Sequence, residues 1–100
     1  MFLVRDVFQL KFGKAREAMA ILKEGLDVSR RVGFRDVPMR LLADVVGPYY
    51  TIVLESTFKT LAEYERLGQE SMAKDEWKAW YQKFVPLVES GHREIFRVIE

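Results

Sequence analysis

The sequence contains no cysteine, which excludes disulfide bonds, thiolate metal ligands and a cysteine nucleophile. It has a single histidine, His92, so one chain cannot supply a metal site of two or three histidines. No apolar run approaches the roughly 18 residues that a membrane-spanning helix needs. Neither sign of charge is in excess, because 16 basic and 15 acidic residues leave a net charge of +1. That balance gives no electrostatic basis for binding nucleic acid or an anionic membrane.

Motifs that carry well-known chemistry are missing as well. The sequence has no P-loop, no GxGxxG fingerprint and no Gly-x-Ser-x-Gly elbow. We therefore predict no cofactor and no metal, and the catalytic residues, if there are any, stay unknown. The lack of cysteine, and an opening apolar run that Arg5, Asp6 and Gln9 interrupt, together predict a cytoplasmic protein without a signal peptide.

What the chain does contain is typical of one globular domain spanning residues 1–100, with 49% hydrophobic and 31% charged residues. Residues 2–10 alternate and predict a strand. One face of that strand is apolar except for Asp6, and its other face carries Leu3, Arg5, Val7 and Gln9. From residue 14 the period changes to that of an amphipathic helix, which we expect to end near Gly33.

The second half of the pattern predicts two strands, a helix and a last strand. Strands at 38–46 and 49–57 flank the turn signal Gly47-Pro48. The spacing of Thr60 and Glu63 is that of a capping box, and we expect the helix that follows to be jogged near Ala73, where Asp75 can cap a further turn. A fourth strand is predicted from residue 92 to residue 99.

This β-α-β-β-α-β order predicts an α+β protein of ferredoxin-like fold with a four-stranded antiparallel sheet. In that arrangement both helices cover one face of the sheet. The other face, here called the bare face, would carry Leu3, Val7, Val53 and Phe96 among polar residues. A second copy of the chain that covers it would give a two-fold homodimer.

Several segments resemble the NIPSNAP family. They are Gly47-Pro48-Tyr49-Tyr50 with the strand that continues through Glu55, the segment 77–89 with Trp77 at its start, and residues 92–97. The resemblance implies a ferredoxin-like protomer and a dimeric α/β barrel with a central cavity. It implies no agreed reaction, because the wider superfamily includes cofactor-independent monooxygenases as well as proteins without known activity.

The candidate ligand-binding residues are polar residues on the predicted strands, some of which must point into such a barrel. They are Arg5, Gln9, Arg40, Glu55 and Arg97, with Asp44 on the same strands. Converging arginines would favour a carboxylate or phosphate ligand. The alternative is that these acids and bases pair with each other in the interface and bind nothing, and their nearly balanced numbers favour that alternative.

His92 and the aromatic residues of the last helix are weaker candidates. A lone histidine beside a glycine is a solvated turn or strand residue more often than a general base or a haem ligand. Trp77, Trp80, Tyr81 and Phe84 could line an aromatic pocket, but their helical spacing is that of an ordinary buried stripe.

Two functions remain open from the sequence. One is a homodimer that encloses a small-molecule-binding cavity, with a cofactor-independent monooxygenase-like activity as one form of it. The other is a non-catalytic structural or protein-interaction module, which the missing catalytic motifs favour. The ferredoxin-like order also raises an RNA-recognition module, but the aromatic-glycine signature of its third strand is absent.

Overall fold

A computed structural model describes residues 1–100 and confirms the α+β fold class. Its strands are β1 (Phe2–Leu10), β2 (Met39–Ala43), β3 (Thr51–Phe58) and β4 (Val88–Arg97), and its helices are α1 (Ala15–Ser29), α2 (Leu61–Met72) and α3 (Asp75–Phe84). The four strands form one antiparallel sheet in the order β2-β3-β1-β4. This is the predicted ferredoxin-like arrangement, with the second helix broken into two.

β1 has the predicted bounds and lies at the centre of the sheet. Val4 and Leu10 on its apolar face are fully buried beneath the helices. Because directly paired residues of antiparallel strands point to the same side, the register assigns the opposite face. Arg5 pairs with Glu55 of β3 and with Glu94 of β4, so these three residues share the bare face.

The first helical segment ends close to Gly33, as the sequence predicts. The helix continues into one wide turn of π geometry at Arg30–Phe34, within which Gly33 has a φ of 152°. That value lies in the region that favours glycine. The Oγ of the fully buried Ser71 donates to the carbonyl of Val32, which ties the end of α2 to this turn.

β2 ends earlier than predicted, at Ala43, and β3 begins later, at Thr51. Residues 44–50 form a loop rather than a tight hairpin, because the backbone N–H of Thr51 donates to the Asp44 carboxylate at 2.9 Å and the Thr51 hydroxyl donates to the Pro48 carbonyl at 2.8 Å. These side-chain hydrogen bonds compete with the β ladder. Val45 and Val46 consequently stand almost fully exposed at the loop tip.

The helical pair α2–α3 follows the prediction closely, with one correction. Thr60 caps α2 by accepting the backbone N–H of Glu63 at 3.0 Å. The jog falls at residues 73–74, as expected, but Asp75 is the first helical residue of α3 and the N-cap is Lys74 without a side-chain cap. The Asp75 carboxylate thus lies in the first turn, where the helix dipole favours it.

β4 begins at Val88 rather than at residue 92. It pairs with β1 along nearly its whole length, so the ladder carries Gly91 into the strand. A Cβ at Gly91 would lie 3.0 Å from the Val7 carbonyl and 3.2 Å from the Phe8 ring. The glycine therefore marks close packing inside the strand and not the strand's start.

The core beneath the helices is divided into two clusters. The larger one joins β1, α1, β3 and the end of α3 and consists of Leu10, Ala18, Leu22, Ile52, Phe84 and Leu87. The smaller one consists of Val4, Val37 and Phe58. None of the helices is long and apolar enough to cross a membrane.

The contact between α1 and α3 depends on a glycine. The Trp80 indole packs against Gly25, where a Cβ would overlap the ring, and its Nε1 donates to the Ile21 carbonyl at 2.6 Å. This hydrogen bond fixes the indole in place, so the ring has little room to move away.

We expect Gly25→Ala to lower the free energy of unfolding by about 1–3 kcal/mol, because the added methyl overpacks the Trp80 contact. Gly68→Ala in α2 is the matched control, since a Cβ there meets nothing within 4 Å. That change should stabilise the protein by up to about 1 kcal/mol through helix propensity. Urea denaturation measures both, and equal effects of the two substitutions would contradict the packing.

Candidate functional site

A cavity of about 580 Å³ separates the two core clusters, between the helices and the covered face of the sheet. We call it the helix-side cavity. Its floor comes from strand residues that include Asp6, Phe8 and Ser56. Its sides come from α1, from the turn after α1, and from α2 and α3. A space of this size falls in the range of ligand pockets, which are mostly apolar with a few polar groups.

The polar centre of the cavity is an ion pair. Asp6 of β1 and Arg93 of β4 are directly paired across the ladder, and Arg93 Nε donates to Asp6 Oδ1. The Asp6 side chain is 17% exposed and that of Arg93 is 58% exposed. The Arg93 guanidinium also lies 5.8 Å from the centroid of the Tyr64 ring. One acceptor, one cation and one phenol therefore meet on the cavity wall.

The local environment shifts the pKa of two of these groups. Burial raises the pKa of the Tyr64 phenol above its ordinary value, and the charge of Asp6 adds to this, while Arg93 opposes it. Burial acts to lower the pKa of Arg93, but the hydrogen bond and charge of Asp6 outweigh it and raise that pKa. Tyr64 is consequently a neutral hydroxyl at physiological pH and can donate as well as accept a hydrogen bond.

Aromatic side chains line the cavity on two sides. On one side Phe34, Phe58 and Tyr64 form a chain with centroid separations of 6.1 and 5.1 Å. On the other side α3 contributes two stacked pairs, Trp77 with Tyr81 at 4.8 Å and Trp80 with Phe84 at 5.3 Å. Such surfaces bind apolar and aromatic groups.

The α3 aromatics therefore combine two roles. Phe84 is a core residue, as the helical stripe predicts. Trp77 and Tyr81 are part of the cavity wall, and Tyr81 is 46% exposed. Trp80 and Phe84 border the same cavity, so all four aromatics of the helical stripe lie on its wall. Spacing alone cannot separate a core wall from a cavity wall, because both require the same face of the helix.

Three of the predicted site residues lie in one row on the bare face. Arg40, Glu55, Arg5 and the unpredicted Glu94 follow each other across all four strands. Arg40 Nε lies 2.7 Å from Glu55 Oε1, Arg5 Nε lies 3.3 Å from Glu55 Oε2, and Arg5 Nη1 lies 3.2 Å from Glu94 Oε1. These charges pair with each other and point away from the helix-side cavity.

The other two predicted residues are separate from this row. Gln9 shares the bare face, and its Nε2 donates to the Thr51 hydroxyl oxygen at 2.9 Å. Arg97 pairs with Phe2, so it lies on the covered side, with its guanidinium 5.5 Å from the Phe2 ring centroid. A shallower depression of about 270 Å³ on the bare face includes Arg40 and Glu55 in its lining. A ligand-binding role of the five residues stays a prediction.

Sequence reasoning did not select Asp6, Tyr64 or Arg93 as site residues. A signal existed for Asp6, because it is the one polar residue on the apolar face of β1. Arg93 becomes its partner only through the β1–β4 register, and Tyr64 reads as an ordinary member of the α2 stripe. His92 borders the cavity, but its Nε2 lies 4.0 Å from Glu94 on the bare side. Nowhere in the structure do three or more His, Cys, Asp or Glu side chains gather as a metal site would require.

Comparison with known proteins identifies the fold. No protein-family model and no curated protein matches the chain. Among solved structures, a candidate antibiotic biosynthesis monooxygenase from Nitrosomonas europaea is similar with a TM-score of 0.74 and 16% identity, over 100% of both chains. The protein thus has the ferredoxin-like α+β fold of that class.

Structures of NIPSNAP proteins are more similar still. An uncharacterised NIPSNAP domain protein from Burkholderia xenovorans has a TM-score of 0.88 and 16% identity, covering 98% of this chain and 94% of its own. A NIPSNAP family protein of unknown function from Agrobacterium tumefaciens has a TM-score of 0.86 and 21% identity, covering 96% and 86%. The resemblance to NIPSNAP proteins is therefore confirmed for the fold.

The raised pKa of Tyr64 leads to a prediction for alkaline stability. Because the folded state disfavours the tyrosinate, the unfolded chain ionises first as the pH rises above about 10. The free energy of unfolding of the parent protein, relative to that of Tyr64→Phe, should be constant below this pH and should fall above it. Urea titrations of both proteins at a series of alkaline pH values measure the difference. A constant or rising difference would show that Tyr64 is not desolvated.

Proposed function

We propose that this chain is a NIPSNAP-like protein that binds a small molecule in the helix-side cavity. The observation that carries the proposal is the gap between the two core clusters, where a mostly apolar cleft of about 580 Å³ has the ion pair of Asp6 and Arg93 on its wall. The cleft is open to solvent, since its lining residues Met72 and Tyr81 are 49% and 46% exposed, so its apolar walls meet water. A ligand that fills the cleft removes these walls from water.

We propose further that the chain acts as a homodimer joined through the bare face. In a single protomer Leu42 is 37% exposed and Phe96 is 48% exposed on that face. The row from Arg40 to Glu94 has no net charge, so its internal pairing can persist when a second copy covers it. In this dimer, which we place in the cytoplasm, Arg5, Arg40 and Glu55 are interface residues. The competing possibility is that they bind a ligand in the barrel between the two sheets.

A cofactor-independent monooxygenase-like activity is the second candidate. It is supported by the fold that the chain shares with candidate antibiotic biosynthesis monooxygenases from Nitrosomonas europaea and Chloroflexus aurantiacus, which is an analogy of fold only. The specific feature that favours it is a carboxylate, Asp6, held beside a cation in a cavity with aromatic walls. Oxygen uptake in the presence of a bound ligand tests it, and ligand binding without turnover favours a binding protein.

Ligand binding in the helix-side cavity can be tested by filling the cavity with a larger side chain. Tyr64, Gly68 and Met72 lie at intervals of four on the cavity side of α2, and there is open space where a Gly68 side chain would begin. N-phenyl-1-naphthylamine, a neutral dye that fluoresces in apolar sites, should bind the parent protein and Gly68→Ala. Gly68→Leu should fold and yet reduce this binding at least about tenfold, since its side chain takes the ligand's place.

The outcome that contradicts the proposal is specific. Equal dye binding by Gly68→Leu and Gly68→Ala, with both proteins folded by circular dichroism, would place the dye elsewhere. No dye binding by the parent protein would favour the alternative of a non-catalytic interaction module.

The dimer is tested at residues that the protomer fold leaves exposed. Leu42→Asp or Phe96→Asp should convert the protein to a folded monomer, because each places an unpaired charge in an interface expected to bury more than about 1,000 Å². Light scattering should then give a mass near 11.7 kDa, and about twice that for the parent protein.

Leu61→Asp is the matched control for both substitutions. Leu61 is 47% exposed but lies at the start of α2, on the covered side of the sheet, so this variant should remain dimeric. A parent protein that is monomeric at micromolar concentration would rule out the dimer and leave the helix-side cavity unaffected.

A further inference from the structure

The helix-side cavity carries no net charge. Its charged side chains are Asp6 and Arg93, which pair with each other, and His92 lies at the edge with its ring directed to Glu94 on the bare side. Arg93 is 58% exposed, but Asp6 is only 17% exposed and most of the lining is apolar, so a ligand with an additional charge would lose hydration without meeting an unpaired opposite charge. Electrostatics therefore favours a neutral ligand.

The hydrogen-bonding groups that remain free narrow the choice further. The one hydrogen bond of the ion pair uses Oδ1 of Asp6 and Nε of Arg93. Arg93 also donates to the Tyr64 hydroxyl, and Oδ2 of Asp6 and the remaining N–H groups of Arg93 have no hydrogen-bond partner in the protein. A ligand group placed between them must donate to a carboxylate and accept from a guanidinium. A hydroxyl does both, whereas a carboxylate only accepts and an ammonium only donates.

The walls specify the rest of the ligand. Phe34, Phe58 and Tyr64 on one side, and Trp77 with Tyr81 on the other, offer ring surfaces to whatever occupies the space. Aromatic pairs gain free energy beyond that of their buried area, so a ring system is preferred over an aliphatic body of the same outline.

We propose that the helix-side cavity selects a neutral aromatic alcohol or phenol, whose hydroxyl donates to Asp6 and accepts from Arg93 while its ring occupies the space between the aromatic walls. This inference rests on the proposed function, since it names the ligand class of the same cavity. It also assigns Asp6 and Arg93, rather than the arginines of the bare face, as the residues that recognise the polar end of the ligand.

A matched set of probes tests the ligand class. 2-Naphthol, 2-naphthoate and 2-naphthylmethylamine share one ring system and differ in the charge of one group, and decahydro-2-naphthol keeps the hydroxyl without the aromatic rings. Calorimetry at neutral pH should show that 2-naphthol binds at least about tenfold more tightly than each of the other three. Equal or tighter binding of the naphthoate, the amine or the saturated alcohol would overturn the inference.

Charge variants test the assigned residues. Asp6→Asn leaves the charge of Arg93 unpaired and should invert the preference in favour of 2-naphthoate. Arg93→Gln leaves the charge of Asp6 unpaired and should invert it in favour of the amine. If these residues served the fold alone, both variants would weaken all probes by the same factor, and that result would overturn the assignment.

The ligand class and the use of the cavity as a binding site would be contradicted by different results. Binding of N-phenyl-1-naphthylamine that is sensitive to Gly68→Leu, combined with no preference for 2-naphthol, would overturn the ligand class and keep the cavity as a binding site. Loss of all binding, with Gly68→Leu equal to the parent protein, would overturn the proposed function as well.

Discussion

A carboxylate in the middle of the covered face of β1 imposes the main constraint on this structure. Asp6 stands between Val4 and Phe8, beneath the helices, where an aliphatic residue would let the core close. An ionised carboxylate without a partner would be strongly destabilising there. Arg93 supplies the partner from β4, and the polar pair then keeps the apolar side chains on either side apart. Val4 belongs to the smaller core cluster and Phe8 packs against the larger one, so the ion pair lies between the two clusters.

The bare face has an arrangement of a different kind. Its charges alternate in sign across the four strands, from Arg40 to Glu94, and they neutralise each other within the protomer. The long side chains of this row lie next to Val7 and Val53, which are 9% and 8% exposed without any partner chain. The bare face is therefore a paired, partly apolar surface.

The two faces of the sheet differ in character. The fold is shared with NIPSNAP proteins and with candidate monooxygenases at identities of 16 to 21% in the structures compared above, so the scaffold by itself specifies no chemistry. What can distinguish one protein of this fold from another is the lining of the helix-side cavity. In this chain that lining combines one neutral ion pair, the phenols of Tyr64 and Tyr81, and further aromatic rings on two sides.

Alternation and helical spacing in the sequence determined the element order, the bounds of β1, the cap at Thr60 and the jog near Ala73, because these depend on neighbours within a few residues. The sequence also contained the polar interruption at Asp6. Only the tertiary structure decided that Arg93 is its partner, that Gly91 belongs inside β4, and that Arg97 lies on the side opposite to Arg5. Each of these depends on the register between strands more than 80 residues apart in the chain, where a shift of one residue exchanges the two faces of the sheet.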